Sequence, residues 1–107
     1  MARRPSSPRG LRRIRERAHA KLVREQERLA GLRPGGTPER PLAVESPAQV
    51  DVIAGAAPCP LCDGPLRLDE HAAETVDGVR LRVARVICTS CGVARRLWFR
   101  LREQALH

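Results

Sequence analysis

The stretch "CTSCGVARRLWFR" (88–100) decides the reading of this chain, together with its upstream counterpart "CPLCDG" (59–64). Each opens on a Cys-x-x-Cys pair, and twenty-five residues separate Cys62 from Cys88. Two intervening residues let one tight turn point both sulfurs at a single ion. Two such turns supply the four thiolates of a closed tetrahedral site: Cys59, Cys62, Cys88 and Cys91. Gly64 and Gly92 follow the pairs where the chain must turn back with its amides facing sulfur, and Pro60 stiffens the first turn.

Between and after the pairs the pattern is that of strands. "PLRLDEHAAETV" predicts a strand around 65–75, and Asp77-Gly78 is a two-residue hairpin signal. "VRLRVARVIC" alternates Val79, Leu81 and Val83 against Arg80 and Arg82. Its parity slips near Ala84, which predicts a bulge there. "VARRLWFRLRE" predicts a third strand with Leu97, Phe99 and Leu101 on one face and Arg96, Trp98 and Arg100 on the other. About 49 residues cannot assemble a self-sufficient core, so a metal staple is expected to decide folding.

Knuckle, hairpin and knuckle in this order resemble the zinc ribbon superfamily, over residues 59 to about 102 only. The resemblance implies a three-stranded antiparallel sheet around one Zn2+. Ribbons of this kind serve in transcription factors, ribosomal proteins and polymerase subunits and as scaffolding on enzymes, so it does not fix a role. Iron held in rubredoxin fashion is the alternative metal, since tetrahedral sulfur suits both ions. Rubredoxin-type centres pack aromatic residues over the iron, however, and Trp98 and Phe99 are the only aromatics here. Paired disulfides or a thioredoxin-like redox pair would require a secretory signal or a βαβ setting, and the sequence offers neither.

The N-terminal third carries the charge. Of 107 residues with a net charge of +8, residues 1–33 hold eleven Arg or Lys against three Glu; the remainder is neutral. Such asymmetry points to a polyanionic or acidic partner. The Arg, Ala, Pro and Gly bias also accords with a GC-rich genome, which accounts for part of the arginine excess. Ser7-Pro8 reads as a helix start and Gly31 as its stop, giving a basic helix over about 8–31. Leu11, Ile14, Ala18, Leu22, Leu29 and Leu32 fall within an arc of about 80°, with Glu25 inside it. Arg12, Arg13, Arg17, Lys21, Arg24 and Arg28 are the candidate contacts to nucleic acid or to an acidic protein surface. The plain alternative is a solvated helix whose stripe docks on the ribbon or on another copy of itself. Trp98, flanked by Arg80, Arg82, Arg96 and Arg100, is a further candidate as a stacking platform. Arginines sandwiching Trp98 within the sheet explain the same pattern without a ligand.

Residues 34–58, rich in Pro and Gly and without sustained periodicity, read chiefly as a linker between the arm (1–33) and the ribbon (59–107). "AQVDVIA" within it is compatible with a short strand or a turn of helix. The expected architecture is thus a small metal-stapled α+β protein: a C-terminal three-stranded antiparallel ribbon and an N-terminal basic helix. Four thiolates leave a metal no open position for water or substrate, and no phosphate loop or nucleophile motif appears, so a non-enzymatic role is expected. His71 reads as a surface residue, His19 and His107 lack partners, and Asp69, Glu70 and Glu74 read as a solvated acidic patch. No apolar run reaches the length of a membrane span, and the basic start lacks a secretory h-region. The expected location is the cytoplasm. Two functions compete: nucleic-acid binding through the helix, or a protein-interaction adaptor; an iron electron carrier stands behind both.

Overall fold

A computed structural model describes residues 8–102. The chain runs α1 (Pro8–Leu32), β1 (Leu42–Val44), α2 (Pro47–Ala56), β2 (Leu66–Val76), β3 (Val79–Cys88) and β4 (Ala94–Leu101). The four strands form one sheet in the order β1-β4-β3-β2. β2, β3 and β4 are antiparallel neighbours as expected, but β1 adds a parallel fourth strand along β4, so the sheet is mixed.

The β2–β3 hairpin closes on Asp77 and Gly78, both at positive φ (48° and 77°) between the paired Val76 and Val79. That is the mirror-image turn whose twist matches the flanking strands. The expected bulge near Ala84 lies instead across the ladder, at Asp69 on β2: Leu68 pairs with Val86, and Glu70 with Arg85. β3 itself runs without interruption. Its apparent slip in parity arises because both faces are covered, each at a different end of the strand. Near the hairpin, Leu81 and Val83 pack with Trp98 on one face. Near the knuckles, Ala84, Val86 and Cys88 join the main core on the other. Of the four arginines expected to flank Trp98, Arg80 and Arg82 therefore lie on the opposite sheet face, and Arg96 and Arg100 share its side.

Residues 34–58, expected chiefly as linker, build the lid of the main core. Pro47 starts α2 behind the extended Ser46, and the Gln49 side chain accepts the Glu45 amide at 2.6 Å. Val50 and Ala54, four residues apart, then lie fully buried against Phe99, Val86 and Val44. The preceding turn is clasped to β4: the Gly35 amide donates to the Arg40 carbonyl, and the Gly35 carbonyl accepts the Trp98 amide at 2.8 Å. Gly35 sits at φ 84°, so the reversal after α1 is made there and not at Gly31, which lies within the helix. The Ser7 cap expected for α1 lies outside the described residues.

α1 projects from this body. The molecule has principal extents of 77 × 26 × 16 Å, and a 25-residue helix accounts for about 37 Å of the longest. Only its C-terminal half is anchored. Ala30 is buried, Val23, Gln26 and Glu27 are partly covered, and Glu27 accepts from Arg95 at 2.7 Å. The Arg40 guanidinium donates to the Leu32 carbonyl at the helix end.

Candidate metal centre and basic helix

The two knuckles are built alike. In the first, the Cys59 amide donates to the Gly64 carbonyl and the Asp63 amide to the Cys59 carbonyl. In the second, the Cys88 amide donates to the Val93 carbonyl and the Gly92 amide to the Cys88 carbonyl. The fifth residue of each turn carries the positive φ: Asp63 at 64° and Gly92 at 79°. Asp63, and not Gly64, is therefore the turning residue of the first knuckle; aspartate tolerates the left-handed region better than most residues. Gly64 serves close approach. A Cβ there would lie 2.6 Å from Ser90 Oγ and 3.2 Å from Cys62 Sγ. Thr89 joins the knuckles directly, its amide and its hydroxyl both donating to the Pro65 carbonyl (3.0 and 3.2 Å).

These turns bring all four sulfurs together. The Sγ atoms of Cys59, Cys62, Cys88 and Cys91 lie within 4.8 Å of one another, with Cys62–Cys88 at 3.4 Å and Cys59–Cys91 at 3.8 Å. A tetrahedral ion with bonds of about 2.3 Å to sulfur sets its ligands about 3.8 Å apart, so the cluster is able to hold a metal ion. Cys59 and Cys88 are buried at the sheet end, while Cys62 and Cys91 reach the surface. The Cys91 and Ser90 amides donate to Cys88 Sγ, both at 3.4 Å. The Cys91 amide above all, with that of Ser90 and the neighbouring thiols, outweighs burial and lowers the Cys88 thiol to about 6. Cys62 goes the other way. The Gly64 amide favours its thiolate, but the Cys88 sulfur, desolvation and the other two sulfurs together push it up to about 12. A metal-free cluster thus shares its protons unevenly, with Cys88 giving up its proton before Cys62.

The remaining candidates separate. Trp98 is buried between Leu81 and Val83 and offers no face on which a base could stack. His71 is not a surface residue: it is half-buried under α2, with Nδ1 2.8 Å from Asp51 Oδ1 and its Nε2 enclosed without a partner. Asp69 of the expected acidic patch pairs with Arg85 at 3.2 Å. Thr89 and Ser90 escaped the sequence reading; their place inside the second Cys-x-x-Cys is the signal that could have found them.

On α1, Arg13, Arg17, Lys21, Arg24 and Arg28 fall within an arc of about 80°, while Arg12 stands about 100° away from the nearest of them. All six are exposed, and none forms an ion pair among the described residues. The apolar stripe does not dock on the sheet, because the helix meets the body through Val23, Gln26, Glu27 and Ala30 instead. No described helix is long and apolar enough to cross a membrane. Comparison with protein-family models, with curated proteins and with solved structures gives no match.

Proposed function

We propose that this chain is a small, non-enzymatic zinc-ribbon protein of the cytoplasm that binds nucleic acid through α1. The observation that carries the reading is the basic stripe: five exposed cations, unpaired among the described residues, aligned on a helix face turned away from the body contact. An uninterrupted row of cations along about four turns suits a phosphate backbone, which presents charge at regular short intervals. Zn2+ is favoured over iron because one aromatic alone, Phe99, shares a core cluster with the cysteines, while Trp98 packs in the other. With four thiolates around it the ion has no open position, so its work is structural.

Binding is tested by fluorescence anisotropy on labelled duplex and single-stranded oligonucleotides across a salt series. Five phosphate contacts give a slope of log affinity against log salt of about −4 to −5 on duplex. Doubling the salt then weakens binding about 20-fold, with little dependence on sequence. Binding that is absent at low salt, or that survives loss of the stripe cations, refutes the reading.

A further inference from the structure

Among the described residues the apolar stripe of α1 has no partner. Leu11, Ile14, Leu22, Leu29 and Leu32 are 44–53% exposed, on a helix face turned about 130° away from the body contact. We propose that this stripe is the seam of a homodimer in which α1 pairs antiparallel with α1 of a second copy.

Three features select this occupant and this orientation. First, the stripe reads nearly the same from either end. With the helices antiparallel and fully overlapped, Leu11 meets Leu32 of the second copy, Ile14 meets its Leu29, and the two Leu22 side chains lie side by side at the centre. Every large apolar residue finds another. Secondly, the one charge in the seam falls opposite the one small residue. Glu25 faces Ala18 of the second copy, where a carboxylate has room to lean out towards Lys21 or Arg15 beside it. A parallel pairing in register instead stacks Glu25 on Glu25 and Ala18 on Ala18. Thirdly, the seam is narrow, about 80°, which is the width of a two-helix contact and less than a helix needs to lie on a sheet.

The two-fold axis of an antiparallel pair is normal to the plane of its helices, so equivalent faces of both helices point the same way. The basic stripe lies about 100° to one side of the seam and the body about 130° to the other. Dimerisation therefore gathers both basic stripes on one side and both metal-bearing bodies on the other. This doubled basic surface rests on the nucleic-acid reading above; the pairing itself does not.

The test is sedimentation of nuclease-treated, zinc-loaded full-length protein over a wide concentration range. The expected result is a monomer–dimer equilibrium that persists at high salt, because its seam is apolar. Ile14→Glu and Leu29→Glu should each leave only monomer with an unchanged circular dichroism spectrum, since both side chains are already in water. Mixing Leu11→Cys with Leu32→Cys chains under mild oxidation should give the mixed crosslink in preference to either self-crosslink. A wild type that stays monomeric to its solubility limit overturns the proposal, as do charge variants that still dimerise or a dominant 11–11 crosslink. Arg17→Ser with Arg28→Ser separates the two readings: it should weaken oligonucleotide binding, lower its salt slope by about 2 and leave the dimer intact.

Discussion

Gly64 offers the sharpest test of how the two knuckles are held together. A methyl group there would stand 2.6 Å from Ser90 Oγ, 2.9 Å from Ser90 Cβ and 3.2 Å from Cys62 Sγ. Ordinary contact distances are about 3.5–4.0 Å, so two of these overlap by close to 1 Å. Relief is hard to find. Ser90 sits between Cys88 and Cys91 with its amide on the Cys88 sulfur, so moving it misaligns two ligands. Gly64→Ala should therefore cost about 2–3 kcal/mol, at the upper end of overpacking penalties. Expressed as metal affinity, that is a loss of about 30- to 150-fold. Chelator-competition titration and thermal melting of the zinc-loaded protein measure it. Ser90→Gly removes the two nearest atoms and should return at least half of the loss in the double variant. A coupling of about 1–2 kcal/mol in the double-mutant cycle is the expected signature. A Gly64→Ala protein with unchanged affinity and melting temperature, or one that Ser90→Gly fails to rescue, refutes the close-approach argument.

Phe99 is fully buried between α2 and the sheet, and Phe99→Ala should destabilise the fold by about 3–5 kcal/mol in denaturant titration; a loss under about 1 kcal/mol contradicts the core assignment. Glu27→Ala should cost less than about 1 kcal/mol, because Glu27 is 42% exposed. It should nonetheless speed amide exchange over residues 23–30, while unchanged exchange would show that the Arg95 pair does not anchor α1. Metal affinity should rise with pH from about 6 towards 9. Cys88, lowered to about 6 chiefly by the Cys91 amide, completes its ionisation early in this range, but Cys62, pushed up to about 12, must surrender its proton to the incoming ion. Isothermal titration in buffers of different ionisation enthalpy should accordingly show proton release on binding, and none at neutral pH contradicts this distribution.

Local signals in the sequence carried most of the fold. The Asp77-Gly78 turn and the three antiparallel strands follow from alternation and turn chemistry, and the clustered cysteines from their spacing. What escaped depends on contacts distant in sequence. β1 is three residues long and gains its identity from pairing with β4, and no periodicity survives over so short a run. α2 was hidden by its prolines, although Ser46-Pro47-Ala48-Gln49 carries an N-cap, a first-turn proline and a glutamine three residues after the cap. β3 misled because an alternation rule assumes one buried face, whereas this strand crosses from one core cluster to the other. Trp98 looked like a platform among arginines. The turn after α1, bonded to its own amide, and the cross-strand Val83 place it inside the protein instead.

On the proposed reading, one ion held by Cys59, Cys62, Cys88 and Cys91 staples the mixed sheet into a stable domain. Elemental analysis of protein purified without added metal, followed by chelation under circular dichroism, tests it most directly. One zinc per chain should be found, and its removal should collapse the strand signal and restore it on readdition, since binding of this kind is worth about 10–16 kcal/mol to a small fold. Iron in place of zinc, or a metal-free chain that keeps its sheet and its melting temperature, would contradict the account.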